Sequence, residues 1–455
     1  MSEEHATPVA QAVLRWFRES SVCRKKHPVA SEWTVLAGFV VRVPGETATY
    51  RALACGTGTK CLGRRDLRAD GLVVNDCHAE VVARRALLRY LYSEARAWSA
   101  AESAESLAEP SIFERAEATG RLRLKPDHEL HLFVSETPCG DASIYPLQED
   151  VIDALVQQRQ ARERDGDVTV RSELRLTGAK DRQPNKRPSD TTCEPPLKRF
   201  QQDLGIARTK SGRSDLPAEK QTLSMSCSDK IAKWVAFGVQ GTLLRRVFEP
   251  LQLSSVVVSH DSCSRSERAQ RAAITRALVS RLGRLCPAGA NAPTVHVEAA
   301  ARFEGRRRPG VPPSPLSLNW TASEGHWQQP RDKNASPSTD VEVLMAATGL
   351  RQGAKKAAKL DRQHLLKVAS RLCKWRLVEA FVAITPSRAD AATYQDSKNR
   401  VRRELVPTWD DDWRRFIQAV GSWVGVPASY KTFSLPSVSQ SLSTAAGAGT
   451  DASAL

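Results

Sequence analysis

Two alternating spacings of apolar residues run along the chain, and they predict strands and helices that follow one another. The predicted strands lie near 32–43, 49–56, 128–140, 251–260, 293–303 and 341–349. The predicted helices cover 7–20, a long segment that begins at His78, 226–248, 264–282, 360–380 and 410–424. Strands interleaved with helices indicate a layered α/β fold.

Three stretches lack this periodicity. Residues 98–127 are polar and predict an insertion, and residues 178–207 are rich in Lys, Arg, Pro and Ser, which predicts a disordered insertion. The Ser/Ala/Gly-rich stretch 435–455 predicts a disordered tail. We therefore expect an N-terminal part of the fold in 1–48 and the main domain in 49–434.

Composition narrows the class of protein. The chain has 455 residues, 41% of them hydrophobic, which is enough for a packed core and excludes full disorder. It has no long apolar run and no apolar leader after its first residues, so we expect neither a membrane span nor secretion. Ten cysteines are too few for a disulfide scaffold, which favours an intracellular location, nuclear or cytoplasmic. The net charge of +16 fits a nucleic-acid partner or simply a soluble surface.

The candidate chemistry lies in two short motifs and one separate cysteine. His78 and Glu80 form the H-x-E half of a zinc-deaminase signature, and Cys139 follows a proline as in its second half, P-C-x-x-C. Ala142 stands where the second cysteine belongs, so a third protein ligand must come from elsewhere. Cys227 begins a predicted helix, where the helix dipole favours a thiolate. Each motif alone is weak, but the three together predict a zinc site.

These motifs and several others resemble the catalytic domain of the RNA-editing adenosine deaminases. The shared motifs are Asn75-Asp-Cys-His-Ala-Glu, Pro138-Cys-Gly-Asp-Ala-Ser, Arg208-Thr-Lys-Ser-Gly, Met225-Ser-Cys-Ser-Asp-Lys, Asn319-Trp-Thr and Ser370-Arg-Leu-Cys-Lys. Similarity to the tRNA-specific members is carried by Gly56-Thr-Gly-Thr-Lys-Cys, Gly238-Val-Gln-Gly, Thr393-Tyr-Gln and Gly421-Ser-Trp. The resemblance runs from about residue 5 to residue 434.

The resemblance implies a cytidine-deaminase-like αβα fold with a C-terminal extension that encloses a buried inositol hexakisphosphate. It implies hydrolytic deamination of adenosine to inosine, with one zinc ion on His78, Cys139 and Cys227 and with Glu80 as the proton shuttle. It also implies that the substrate is the adenosine just 3′ of the anticodon (position 37) of alanine tRNA. Such a base must be flipped out of its stack to react.

The resemblance further implies a ligand set for the inositol phosphate. Its members are Asn75, Arg84, Arg85, Lys230, Lys233, Trp234, Gln240, Thr242, Lys374, Tyr394, Lys398 and Trp423. Asp76 and Lys210, with Lys230, match a polar relay between the zinc site and this ligand. Beyond Lys398 the match weakens, although Trp423 still matches: Glu404 stands for a tyrosine, and Gly425-Val426 replace a charged pair.

Two basic segments predict contacts with RNA phosphates, namely 351–376 and Arg306-Arg307-Arg308. Two alternative functions remain open: a double-stranded RNA editor of the same superfamily, and an inactive zinc-containing RNA-binding protein. The 77 residues before His78 include strands of the fold, which argues against a separate double-stranded-RNA domain there. The presence of Glu80 argues against an inactive copy. The sequence predicts no oligomeric state.

Overall fold

The computed structural model describes residues 6–27, 30–101, 111–145, 204–210, 217, 219, 221–260, 266–286, 292–322, 341–354, 360–385 and 393–434. The predicted insertion at 178–207 lies outside these residues except at its last four positions, and the predicted tail lies wholly outside them. No helix within the described ranges is long and apolar enough to cross a membrane.

Most of the strands belong to one mixed sheet. The described strands are β1 (Leu36–Val43), β2 (Thr49–Thr57), β3 (Thr59–Cys61), β4 (Asp76–His78), β5 (Phe113–Arg115), β6 (Leu122–Leu124), β7 (Glu129–Val134), β8 (Ser255–Ser259), β9 (Thr294–Glu298), β10 (Leu316–Thr321), β11 (Glu342–Met345) and β12 (Leu350–Arg351). Eight of them form the sheet, in the order β12-β11-β10-β2-β1-β7-β8-β9. The β7–β8 and β8–β9 pairs are parallel and the other pairs are antiparallel. Two small antiparallel pairs, β3–β4 and β5–β6, lie outside this sheet.

Helices cover both faces of the sheet. The described α-helices are α1 (Ala6–Glu19), α2 (Ser21–Lys26), α3 (Ala79–Ala100), α4 (Cys227–Phe237), α5 (Gly241–Leu244), α6 (Glu267–Leu278), α7 (Arg362–Val368), α8 (Lys374–Ile384), α9 (Tyr394–Leu405) and α10 (Trp409–Val420). On one face, Val13 and Phe17 of α1 pack with Val40 of β1. On the other, Phe39 of β1 packs in the larger core that holds α3, α4 and α8. Alternate residues of the strand therefore pack into two different cores, one on each face of the sheet. The predicted layered α/β fold is confirmed.

Two predicted helices are each divided in two. The helix predicted over 226–248 ends at Phe237, because Gly238 adopts a positive φ of 80° and turns the chain. The Gln240 side chain then accepts a hydrogen bond from the Leu251 amide at 2.9 Å, which fixes the turn. Likewise, the helix predicted over 360–380 is broken between α7 and α8 by a short turn.

The prediction of a polar insertion over 98–127 was wrong for its described part. Residues 98–100 complete α3, and β5 and β6 form a hairpin whose Phe113 is 2% exposed and packs on Phe248 with ring centroids 5.0 Å apart. Four apolar positions in a polar stretch were enough to anchor it, which is too few to show as periodicity. Strand β10 and helix α9 were not predicted as elements, although a motif within each was recognised.

Candidate metal centre and cation-lined cavity

A strand-to-helix turn places the H-x-E motif. Strand β4 ends at His78, which caps α3 with an extended backbone, and the Ala79 amide donates to the Gly58 carbonyl at 3.0 Å. Glu80 lies in the first turn of α3 and is 3% exposed. His78 and Glu80 are therefore held at the start of a long, buried helix.

The Pro-Cys-Gly turn that follows β7 carries Cys139. Gly140 has φ of 103°, and a Cβ there would lie 2.1 Å from Ser226 Oγ, so only glycine fits. The Ser228 hydroxyl donates to the Cys139 carbonyl at 2.6 Å. This close contact joins the turn to the first residues of α4.

Cys227 is the first residue of α4. Ser226 caps that helix, its hydroxyl accepting from the Asp229 amide at 3.3 Å. The Cys227 amide donates to Cys139 Sγ at 3.3 Å, so a free N–H at a helix start faces the neighbouring sulfur. The sequence prediction that Cys227 begins a helix is confirmed.

The three side chains converge on one point. His78 Nδ1 lies 3.9 Å from Cys139 Sγ and 3.7 Å from Cys227 Sγ, and all three donor atoms lie within 4.8 Å of one another. A tetrahedral zinc ion with bonds of about 2.0 Å to nitrogen and 2.3 Å to sulfur requires donor separations of about 3.6 Å. The one-histidine, two-cysteine set therefore fits such an ion. Within the described residues it is the one cluster of this kind.

The side chain of Lys210 places a positive charge beside this cluster. Its Nζ donates to Cys227 Sγ at 3.1 Å and to Asp76 Oδ1 at 2.8 Å. Burial alone would lower the pKa of Lys210, but the charges of Asp76, Cys227 and Cys139 outweigh burial and raise it. The hydrogen bond with Cys227, helped by the charge of Lys210, holds the pKa of the Cys139 thiol well below its usual range, whereas burial raises that of Cys227. The site thus favours at least one thiolate.

Glu80 has a free carboxylate oxygen. Its Oε2 is buried and has no hydrogen-bond partner among the described residues. Its charge also raises the pKa of both Cys227 and Lys210, which places the carboxylate beside the cluster. A carboxylate with a free oxygen at this position can take and return a proton.

Each cysteine-bearing turn is anchored by an arginine that binds the aspartate two residues further on. Arg276 Nη2 donates to the Asp141 carbonyl at 2.7 Å and its Nε to the Asp141 carboxylate at 3.1 Å. Arg281 Nη2 donates to Asp229 Oδ1 at 2.7 Å in a fully buried pair. No sequence pattern indicated these pairs, because the partners are more than fifty residues apart.

A chain of hydrogen bonds leads away from the cluster. Asp76 accepts from Lys210 on one oxygen, and from Ser224 at 2.7 Å and Lys230 on the other. Burial raises the pKa of Asp76, but the charges of Lys210 and Lys230 outweigh it, and the carboxyl stays ionised. The residues predicted as a relay thus lie in one continuous chain.

Lys230 leads into a cavity of about 390 Å³. All twelve residues of the predicted inositol phosphate set line it. Among the described residues, eight basic side chains and one carboxylate, that of Asp76, line this cavity. The basic residues are Arg84, Arg85, Lys230, Lys233, Arg245, Lys374, Lys398 and Lys431.

The cavity leaves these cations poorly compensated. Burial lowers the pKa of Lys374 to about 8, and burial with the charge of Arg85 lowers that of Arg84 to about 10. The pKa of Lys233 is lowered by burial and by the charges of Lys398 and Arg402. Lys233 lies 4.4 Å from the centre of the Trp413 ring, a partner that stabilises a cation only in part. A lining of this kind has the chemistry to bind an anion.

Sequence reasoning missed two basic residues of this cavity, Arg245 and Lys431. Neither lies in a matched motif, and only the fold brings Lys431 back to the cavity. Glu404 points elsewhere and pairs with Arg246.

The two predicted RNA-binding segments behave differently. In 351–376, residues 355–359 lie outside the described part, and Lys374 lines the cavity. Arg371 donates to Asn319 Oδ1 at 3.0 Å, and Arg376 to Glu379 at 2.8 Å. Arg371 and Arg376 are thus engaged in intramolecular contacts instead of the predicted RNA-facing surface, whereas Lys374 turns inward as its place in the predicted ligand set requires.

Arg307 remains on the surface. Its guanidinium lies 5.6 Å from the Trp33 ring centre, and its amide donates to Glu136 at 3.1 Å. Glu136 precedes Cys139 by three residues, so this hydrogen bond joins the Arg307 backbone to the segment that carries a metal-ligand candidate.

Comparison with known proteins agrees with the site. Residues 54–424 match the adenosine-deaminase (editase) domain family. The chain is 34% identical to the tRNA-specific adenosine deaminase 1 of Drosophila melanogaster, with 69% of each chain covered. It is 28% identical to the mouse protein of that name over 88% of this chain and 94% of the other. It is also 28% identical to the rat double-stranded RNA-specific editase B2 over 96% of this chain, which spans only 51% of that protein.

Proposed function

This chain belongs to the adenosine-deaminase (editase) domain family, and we propose that it is a zinc-dependent enzyme that converts adenosine to inosine in tRNA. The observation that carries the proposal is the buried Glu80 carboxylate beside the His78–Cys139–Cys227 cluster. The donor set leaves a fourth position for water, as catalytic zinc sites do.

His78, Cys139 and Cys227 would hold the zinc ion, which when bound lowers the pKa of a water molecule to about 7. The free oxygen of Glu80 would accept one proton of the attacking water and pass it to N1 of the adenine, where it remains in inosine. It would then pass the proton of the new C6 hydroxyl to the amine, which leaves as ammonia. Lys210 neutralises the thiolate charge and so keeps the buried cluster stable.

The substrate we propose is the adenosine 3′ of the anticodon, position 37, in alanine tRNA. The motif resemblance to tRNA-specific members and the similarity to tRNA-specific relatives support it. An anticodon loop presents a partly unstacked base, which lowers the cost of flipping. Arg306, Arg307 and Arg308 would contact the RNA backbone beside the site.

Inositol hexakisphosphate is the polyanion we propose for the cavity. Its phosphates suit a site lined by eight basic residues, because each charge-assisted hydrogen bond compensates a cation that burial destabilises. Its role is structural: it would hold α3, α4, α8 and α9 together. Phosphorus analysis of the purified protein tests its presence.

The decisive experiment is incubation of the purified protein with a panel of tRNAs and an RNA duplex, with inosine mapped by nucleotide. Inosine at position 37 of alanine tRNA alone is the expected result. Inosine in the duplex instead would favour the double-stranded RNA editor. No inosine in any RNA, with zinc retained, would favour the inactive RNA-binding alternative.

A further inference from the structure

The part of the chain that follows Lys398 supplies few of the basic residues that line the cavity. The resemblance to the family weakens after Lys398, and the charged pair expected near 425 is Gly425-Val426, which line the cavity without charge. Glu404 is turned outward and pairs with Arg246. On the resemblance alone, the lining residues that follow Lys398 would include no cation.

Lys431 supplies a cation to this part of the lining. It is half-buried, lines the cavity, and directly follows a single 3₁₀ turn, Ala428–Tyr430. Its carbonyl accepts from the Gln395 amide at 3.0 Å, and the Phe433 carbonyl accepts from the Tyr394 amide at 3.1 Å. Segment 427–434 is thus fastened to the start of α9, which itself contributes Tyr394 to the cavity.

An aromatic contact reinforces this docking. The Phe433 ring stacks on Tyr394 at 5.1 Å between centroids, and Phe433 also packs closely against Gly71. Segment 427–434 therefore has a defined position, and the position of Lys431 follows from its backbone.

The charges around Lys431 work against this arrangement in the absence of an anion. Burial lowers the pKa of Lys431, and the charges of Lys398 and Arg402 lower it further. Among the described residues no carboxylate forms an ion pair with Lys431. A lysine turned toward other cations is stabilised only by a negative charge between them.

We propose that Lys431 is a ligand of the cavity polyanion and that the polyanion thereby holds segment 427–434 in place over the cavity. The proposal rests on the polyanion of the proposed function. The ligand class is a densely phosphorylated small molecule, because only several phosphates can reach basic residues from α3, α4, α8, α9 and this segment together.

The test compares Lys431→Gln, Lys431→Arg and the wild type, with Lys367→Gln as the control because Lys367 is exposed and does not line the cavity. Phosphorus per protein is measured during dialysis against high salt. We expect Lys431→Gln to lose phosphorus about tenfold faster than the wild type, whereas Lys431→Arg and Lys367→Gln retain it.

Retention of phosphorus by Lys431→Gln at the wild-type rate would overturn this role of Lys431 and leave the cofactor standing. A wild-type protein that contains no phosphorus would overturn the cofactor itself.

Hydrogen exchange supplies a second measurement that needs no variant. The amides of Tyr394 and Gln395 are bonded to segment 427–434. We expect them to exchange faster as the wild-type protein is partly stripped of phosphate and to recover protection when inositol hexakisphosphate is added. Exchange that is independent of phosphate content would contradict the coupling.

Discussion

Single atoms of Glu80 and Lys210 decide what the candidate site can do. Glu80 Oε2 is buried yet accepts no hydrogen bond from the described residues, so this oxygen can take up a proton during the reaction. Lys210, in contrast, is fully engaged between Cys227 and Asp76. One group is therefore suited to moving a proton and the other to holding charge in place.

Replacing Glu80 by Gln should remove deamination and leave the fold intact. The amide has the same shape but cannot accept a proton, so we expect the rate on tRNA to fall by on the order of 10²–10⁴. Single-turnover inosine formation measures the loss, and zinc content serves as the control. A mutant that deaminates at the wild-type rate would show that another group shuttles the proton.

Replacing Cys227 by Ala should remove the zinc ion, because two remaining protein ligands do not hold a catalytic zinc. Metal analysis of the purified protein is the measurement. Cys286→Ala is the matched control, since Cys286 is a half-buried cysteine outside the cluster. Full zinc occupancy in Cys227→Ala would place the third ligand elsewhere.

The residues of the metal-ligand cluster lie at the ends of helices and strands. The start of α3, the turn after β7 and the start of α4 meet at the metal-ligand cluster, while α6 and the residues after it supply Arg276 and Arg281 as anchors. A helix start offers free N–H groups and a partial positive charge, which suits thiolates. The interiors of these helices contribute packing.

The Arg281–Asp229 pair should be worth far more than a surface pair. Arg281→Ala leaves Asp229, which is 0% exposed, without its buried partner, so we expect a loss of about 3–5 kcal/mol in unfolding free energy. Urea denaturation measures it. Arg271→Ala, which breaks a partly exposed pair with Glu267 on α6, should cost less than about 1 kcal/mol. Equal effects would contradict the anchoring role of Arg281.

His27 at the end of α2 should make stability depend on pH. Burial lowers the pKa of His27 to about 4 from an ordinary 6.5, so the unfolded chain binds the extra proton first as the pH falls. Stability is full above about pH 6.5 and declines toward pH 4, by roughly 2 kcal/mol between pH 7 and 5.

Comparing His27→Gln with the wild type isolates this contribution, because the difference in their unfolding free energies should shrink by that amount at pH 5. The partly exposed His128→Gln should show no such change. The prediction fails if His27→Gln and the wild type lose stability in parallel.

The long helices and strands and the metal-ligand cluster could be predicted from the sequence. The points at which predicted helices are interrupted could not. Helix α3 has sustained apolar spacing, and His78, Cys139 and Cys227 belong to motifs whose chemistry restricts them. The helix break at Gly238 depends on the Gln240 contact with Leu251, which is tertiary. Lys431 could not be predicted because its role arises from where the chain returns.

Across the whole molecule, the basic residues divide into two populations. Arg84, Lys233 and Lys374 line the cavity, whereas Arg307 is exposed on the surface beside Trp33. Net charge alone does not distinguish the two, since it counts both equally. Only the outer population can release counterions when RNA binds.

The salt dependence of tRNA binding should separate these populations. Arg307→Ala should reduce the slope of log affinity against log salt by about 0.9, because one phosphate contact is lost. Lys374→Gln should lower thermal stability and leave the slope unchanged. Filter binding at several salt concentrations gives the slopes; an equal change in both variants would contradict the division.

The cavity also has a consequence for the order of synthesis. Its lining extends from Val73 to Lys431, so a chain leaving the ribosome cannot complete it until nearly all of the described residues have emerged. At about 5–20 residues per second, the interval between those two residues lasts on the order of 20–70 s. During that time several mutually repelling cations have no enclosed partner. The lining of the cavity is therefore completed only after Lys431 has been synthesised.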